Sequence, residues 1–572
     1  MEEEMAETAL PLDVVQIVLG YLTDSRSVAA ARQACSSWRQ AAAAAPCAVR
    51  VVLPSGVANM RDKLTLLLRL MPGLSGLQAN VAAGSDTAYT STCLQDILAF
   101  QNLRQLELAF ADSQELATPD VSQLASLRGL TALRLSNVSL GAAADSGPLS
   151  ALQNLQELSL VHHSKVSALM VGDSHLQVLG KLAGLKSLVL QGRMCSATDE
   201  GLLALSGLAG LSSLSISWVP WQSQITQPAA LQLLASLTQL KSLHLGGAEL
   251  LLPSTPYHPG EQMRAVLAAK SNELQEFKLQ FNCCGTGVEK ALVSLGEVRR
   301  KLTGLQWSYA KLSGPSSVNL LASCTNLRSL KLRLWYQDYN LTPFDFNLLD
   351  LSQLAQLRTL VIDKRPPFQQ QLPAQQSAIS MPITTGMLTK LSRCWPHLEK
   401  LQLGFARSDF GHAAPLEGLA GFSQLRSLSV HCYDQAWEAA RNSSAGWEAP
   451  PRLPLLQHLQ LKHCALDGIG LEDVITAPGE LRSLQLVEVV GLSPRDIALM
   501  PCLASLLRLT LIAAKEDAWL GLAPLRLLSK LPELRHLDWV VSERALPARS
   551  KATDLQALLQ FGKLQDWDKS GL

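Results

Sequence analysis

Three adjacent pairs, His162-His163, Cys283-Cys284 and His463-Cys464, carry the side chains best suited to metal or nucleophilic chemistry. A zinc site needs ligands set apart along the chain so that all can turn toward one ion. These pairs are contiguous, and neighbours on a strand point to opposite faces, so a shared metal is disfavoured. The 11 cysteines include no C-x-x-C pair, and an odd number fits small, reduced, buried thiols better than a disulfide framework. No phosphate-cradling G-x-x-x-x-G-K-[ST] loop, no G-x-G-x-x-G turn and no G-x-S-x-G elbow is present. The expectation is a protein that works by binding, with no catalytic residue, cofactor or metal.

Side chains suited to binding are more plentiful. Five stretches, approximately 217–230, 246–262, 333–348, 363–380 and 431–453, hold 12 of the chain's 29 aromatic residues. Large rigid rings bury much area at low entropic cost and are favoured at the centres of protein interfaces. Trp218, Trp221, Trp335, Tyr336 and Trp437 are the candidates here, with the basic residues Lys278, Lys331 and Arg333 beside them. Pro366-Pro367 would stiffen one of these loops. The competing reading is that the rings fold back over the elements beneath and that the charged residues form a solvated face.

The elements that must position these residues follow from a repeat. The phrase Leu-x-x-Leu-x-Leu begins at Leu103, Leu130, Leu155, Leu185, Leu211, Leu240, Leu274, Leu327, Leu357, Leu398, Leu425, Leu456, Leu481, Leu506 and Leu534, with Phe277 in the fourth position of one copy. A weaker copy begins at Leu74, and a blurred copy sits at Leu305. Alternation at the end of the phrase places both leucines on one side of a short strand. One unit cannot bury that side alone, whereas stacked units can. The expected architecture is α/β: a curved leucine-rich-repeat solenoid of about 16 irregular repeats over 48–545, with short parallel strands on the concave face and helices or irregular segments on the convex face. An acidic, disordered tail is expected over 1–8 and a capping segment over 546–572. The residue between the last two leucines then faces the concave side, giving the row Glu107, Arg134, Ser159, Val189, Ser215, His244, Lys278, Lys331, Val361, Gln402, Ser429, Gln460, Gln485, Thr510 and Asp538. Arg333, Lys400, His431 and Lys462 occupy neighbouring positions on that face.

Composition narrows the partners. Lys plus Arg number 49 against 48 acidic residues, a formal charge of +1. Nucleic acid is not expected as a partner, because phosphate binding needs a basic excess. The amino terminus is acidic and no long uncharged apolar run occurs, so neither a secretory signal nor a membrane span is expected. The localisation expected is cytoplasm, nucleus or both, with cytoskeletal association an option.

Residues 9–47 depart from the repeat. Leu10, Val14, Val15, Val18, Leu19 and Leu22 recur at helical spacing behind Pro11, which suits a first helical turn. Thr23-Asp24-Ser25 interrupts that helix and offers caps for the next. Val28, Ala31, Ala34 and Cys35 continue an apolar face, and a third helix runs through Trp38 toward Pro46. So few residues make a poor core alone, so this cassette should lean on another surface.

The string from Leu10-Pro11 through Tyr21-Leu22 resembles the first half of an F-box, and the string from Val28 through Cys35-Ser36-Ser37-Trp38-Arg39 resembles its second half. Valines replace some of the family's leucines, and alanines fill second-helix positions where larger residues are usual. The resemblance implies a three-helix module that docks on the Skp adaptor of Skp–cullin–F-box ubiquitin ligases, through Leu10, Pro11, Val14, Val18, Leu19 and Leu22, with Val28 and Trp38 supporting. It also implies that the repeats recognise the protein to be ubiquitinated, a target the sequence does not identify. Two alternatives stand beside it. One is a scaffold, for instance on the cytoskeleton, with a vestigial F-box. The other is a small-molecule sensor, for which Lys278, Lys331, Arg333 and Lys400 would supply the basic groups.

Overall fold

In a computed structural model of the chain, the described residues are 47–53, 74–81, 95–115, 124–139, 147–162, 171–191, 197–217, 225–246, most of 261–281, 295–310, 315–334, 344–345, 347–363, 379–380, 385–405, 416–432, 453–462, 480–487, 498–512 and 536–540, with a few single residues between them. The chain divides into two units, Met1–Gln280 and Phe281–Leu572. Both are α/β and share one construction: a parallel strand, a connection that in several repeats holds a described α- or 3-10 helix, then the next parallel strand.

In the first unit the ladder runs through Cys47–Leu53, Leu74–Val81, Gln105–Glu115, Ala132–Ser139, Glu157–Val161, Ser187–Gln191, Ser213–Ser217, Ser242–Gly246 and Glu276–Phe281. Each strand pairs in parallel with the next. The register carries leucine onto leucine: Leu133, Leu158, Leu188, Leu214 and Leu243 form one row, and Phe277 takes the same seat in the following strand. These six are buried. A leucine row works because parallel neighbours stand about 4.8 Å apart, so each side chain packs on its equivalents above and below. The first strand, Cys47–Leu53, holds no copy of the phrase, yet its Val49 and Val51 align with Leu77 and Ala79.

In the second unit the strands are Gly304–Ala310, Ser329–Leu334, Thr359–Asp363, Lys400–Phe405, Ser427–Cys432, His458–Lys462, Ser483–Val487, Arg508–Ile512 and His536–Val540, again paired in parallel in chain order. The register resolves the blurred copy at Leu305. Leu305 aligns with Leu330, and Trp307 aligns with Leu332, so the phrase begins three residues earlier, at Leu302, with Trp307 in the last leucine seat. Leu302, Leu305 and Trp307 are all buried. A large ring fits where the neighbouring repeats supply aliphatic walls, which is why the pattern looked broken while the packing is continuous.

The insertions are also shorter than their expected bounds. Residues 225–230 already belong to a repeat element, with Ile225, Ala229 and Ala230 buried at the start of helix Gln227–Ser236. Helix Glu261–Ser271 likewise begins inside the expected 246–262 stretch. Two other insertions meet each other: Phe344–Asp345 and Ile379–Ser380 form a two-stranded parallel pair.

Helix starts in the first unit are tied together by a recurring clasp. Asp173, the first residue of helix Asp173–Leu179, accepts from the Thr198 amide at 2.7 Å and from the Thr198 hydroxyl at 2.6 Å. Thr198 is the N-cap of helix Asp199–Ala204, its hydroxyl accepting from the Glu200 amide. Asp199 repeats the move one unit on, accepting from the Thr226 amide at 2.6 Å and hydroxyl at 2.8 Å. Carboxylates at helix starts also suit the local dipole. Gly201 lets the clasp close, since a Cβ there would strike the Asp173 carboxylate and its backbone.

Candidate binding face

The leucine rows cover one side of each ladder, so the other side is the broad polar surface of each unit. Three columns of residues lie on it, offset by two positions along every strand.

In the first unit this face is charge-balanced. Gln78 donates to Glu107 at 2.6 Å. Arg134 lies between Glu107, at 3.8 Å, and Glu157, at 3.1 Å. Further along, the Gln191 amide donates to the Ser215 hydroxyl at 3.1 Å, and Ser215 lies 3.2 Å from Nδ1 of His244. Lys278, one of the expected contacts, is ion-paired with Glu276 on its own strand. That bond and the Ser242 hydroxyl hold the Glu276 carboxyl below the usual carboxylate range. Lys278 is therefore engaged within the face.

In the second unit Lys331 and Arg333 project from one strand, both exposed. The guanidinium Nε of Arg333 lies 3.8 Å from a carboxylate oxygen of Asp363, whose side chain is almost wholly buried. A desolvated carboxylate requires a cation nearby, so Arg333 serves the fold as well as facing outward. Lys278 belongs to the first unit and these two to the second.

Next along the second unit is a polar ladder. The Ser429 hydroxyl donates to the Gln460 side-chain carbonyl at 2.7 Å, and Nε2 of His431 lies 3.0 Å from that same oxygen. A carbonyl only accepts, so with this amide orientation Nε2 carries the proton. The Gln460 amide in turn donates to Gln485. His431 is only 5% exposed and aligns with Gly404 on the preceding strand. These bonds link the outward side chains of three successive strands through Ser429, Gln460 and Gln485.

The third column, two residues ahead of the middle one, separates the two units. In the first it includes Glu157 and Glu276, both matched to cations. In the second it reads Lys400, Ser427, His458, Ser483, Arg508 and His536 in successive strands. The His458 imidazole is held below its usual pKa by partial burial and then by the charges of Arg482, Lys400 and Arg508. The expectation from sequence named only Lys400 here. His458 and Arg508 sit at the start of their strands rather than between the leucines, and only the register shows that they share a column, with Ser483 between them.

Trp218, Trp221, Trp335, Tyr336 and Trp437 lie outside the described residues. So do Leu10, Pro11, Val14, Val18, Leu19, Leu22, Val28 and Trp38. Among the described residues no group of three or more His, Cys, Asp or Glu side chains could hold a metal ion, and no helix is long and apolar enough to cross a membrane. Cys324, Cys394 and Cys502 are free thiols, and burial pushes the Cys324 thiol up to about 12. The fold and this face define a repeat protein with a parallel strand ladder in each unit and an extended polar surface on it. No protein-family model matches the chain, and no curated protein matches it.

Proposed function

We propose that the chain is the substrate-recognition adaptor of a Skp–cullin–F-box ubiquitin ligase, with residues 9–47 folding as a three-helix F-box against the Skp adaptor and the repeats forming a curved leucine-rich solenoid that holds the protein to be ubiquitinated. The observation that carries the reading is the pairing of two features in one chain. The Leu10–Leu22 and Val28–Arg39 strings resemble an F-box in order and spacing, and behind them stand two units, each a long parallel ladder with a polar face of its own. An amphipathic helical cassette with surplus apolar side chains seeks a groove in a partner. Tethering a target to the adaptor raises its effective concentration beside the transfer machinery. In this role the chain positions and the cullin-bound partners catalyse.

Co-purification tests it. The wild-type chain should bring down the Skp adaptor and cullin, and a Pro11→Ala/Val18→Ala/Leu22→Ala variant should not. Equal recovery with both, or none with either, would count against the ligase reading and leave a scaffold.

A further inference from the structure

The cationic column of the second unit has a spacing that selects a ligand. Lys400, His458 and Arg508 occupy the same position on alternate strands of one ladder, with Ser427 and Ser483 between them. The three basic residues and Arg482 are exposed, and the two serines are half-exposed. Parallel strands stand about 4.8 Å apart, so successive basic side chains are about 10 Å apart along the ladder, Lys400 and Arg508 as cations and the His458 imidazole between them as a hydrogen-bond donor. Of the nearby acids, Glu399 is ion-paired with Arg358 at 3.0 Å, while Glu480 keeps its charge at the edge of the column, accepting only from the neutral Gln457 amide at 3.4 Å. Among the described residues, none of Lys400, Arg482 and Arg508 lies within ion-pair distance of a carboxylate.

We propose that this column is a docking track for an acidic, extended segment of a partner protein, laid across the strands with an acidic side chain at every third residue. A polyproline-II chain repeats every three residues at about 3.1 Å each, so its third-residue side chains fall on one side about 9 Å apart, close to the interval between Lys400, His458 and Arg508. Carboxylates or phosphorylated hydroxyls meet Lys400, His458 and Arg508. The hydroxyls of Ser427 and Ser483 face the backbone carbonyls between, which a polyproline-II chain leaves without internal partners. Arg482, whose charge reaches His458, widens the track on one side. Nucleic acid fits less well, because a strand carries a phosphate at every residue of rise and the chain as a whole bears only +1. As the contact for a ubiquitination target the track rests on the ligase reading; as a site for acidic chains it does not involve residues 9–47.

The test is fluorescence anisotropy with the full chain and a labelled peptide carrying glutamate at every third residue of a proline-rich frame. Saturable binding that weakens as salt rises is expected. A Lys400→Ser/Arg482→Ser/Arg508→Ser variant should lose about tenfold in affinity, the loss that three exposed ion pairs carry together. The first-unit control Arg104→Ser/Lys186→Ser/Lys241→Ser should not, and Lys400→Arg should bind as wild type does. The proposal is overturned if binding is absent, if the triple variant with an unchanged melting midpoint binds equally, or if a peptide of the same composition with its glutamates in one block binds as tightly. It is also overturned if a short DNA duplex or a phosphatidylserine vesicle competes better than the peptide. Adaptor binding plays no part in this measurement, so either result leaves the ligase reading to its own test.

Discussion

Replacing Asp173 by alanine probes how neighbouring repeats are joined. The carboxylate accepts two hydrogen bonds from Thr198, from the amide at 2.7 Å and the hydroxyl at 2.6 Å. Hydrogen bonds to a charged group contribute about 1.5–3 kcal/mol each, and half-buried ones fall toward the lower end, so about 3 kcal/mol should be lost. Thr198→Val removes the hydroxyl bond and the N-cap on Glu200, for about 2 kcal/mol. Because both variants delete the same hydroxyl–carboxylate bond, the double variant should cost about 1–1.5 kcal/mol less than the sum. The assay is urea unfolding of all four proteins, with hydrogen exchange followed over residues 171–217. Protection should fall first on both sides of the clasp, since each repeat is stabilised by its neighbours. Strict additivity, or a cost for Asp173→Ala below about 0.5 kcal/mol, would show that the clasp is surface decoration and that the leucine rows alone set the junction.

Three further outcomes follow from the packing and the charges. Trp307→Ala should destabilise the second unit by about 3–5 kcal/mol in urea unfolding, because it empties a fully buried seat in the last leucine row; a cost near that of an exposed residue would show that the ring does not hold a seat in that row. In native protein treated with iodoacetamide near neutral pH, the exposed Cys502 should be modified while Cys324 stays intact, since burial keeps that thiol protonated; peptide mass spectrometry reads the difference, and equal labelling would refute it. His458 has a folded-state pKa below that of the unfolded chain, so the unfolded state binds its proton more readily. Its contribution to stability is complete above the ordinary histidine value of about 6.5 and is lost as pH falls below it. The drop in melting temperature between neutral and mildly acidic pH should be smaller in His458→Gln, and an unchanged slope would contradict the assignment.

The core was legible because leucine is both frequent and periodic here: a Leu-x-x-Leu-x-Leu phrase fixes which side of each strand is buried without knowledge of its neighbours. The copy at Leu305 is blurred in the sequence because the ring of Trp307 takes a leucine seat. The phrase missed Cys47–Leu53, whose valines build a strand with no copy of it. The Asp173–Thr198 clasp was hidden for another reason: its partners are 25 residues apart, and neither residue is unusual in its own repeat. Position between the leucines placed Lys278, Lys331 and Gln460 on the outward face correctly. It did not say which of them are engaged, because the Lys278–Glu276 and Arg333–Asp363 pairs depend on rotamers and register. Lys400 was on the expected face, but its alignment with His458 and Arg508 requires counting strands across insertions of unequal length.

Hydrogen exchange over residues 9–47, measured on the full chain with and without purified Skp adaptor, tests the central claim most directly. Amides between Leu10 and Trp38 should exchange quickly in the free chain and become strongly protected when the adaptor is added. Protection already complete in the free chain and unchanged by the adaptor would contradict that claim, because that segment would then be covered by its own polypeptide.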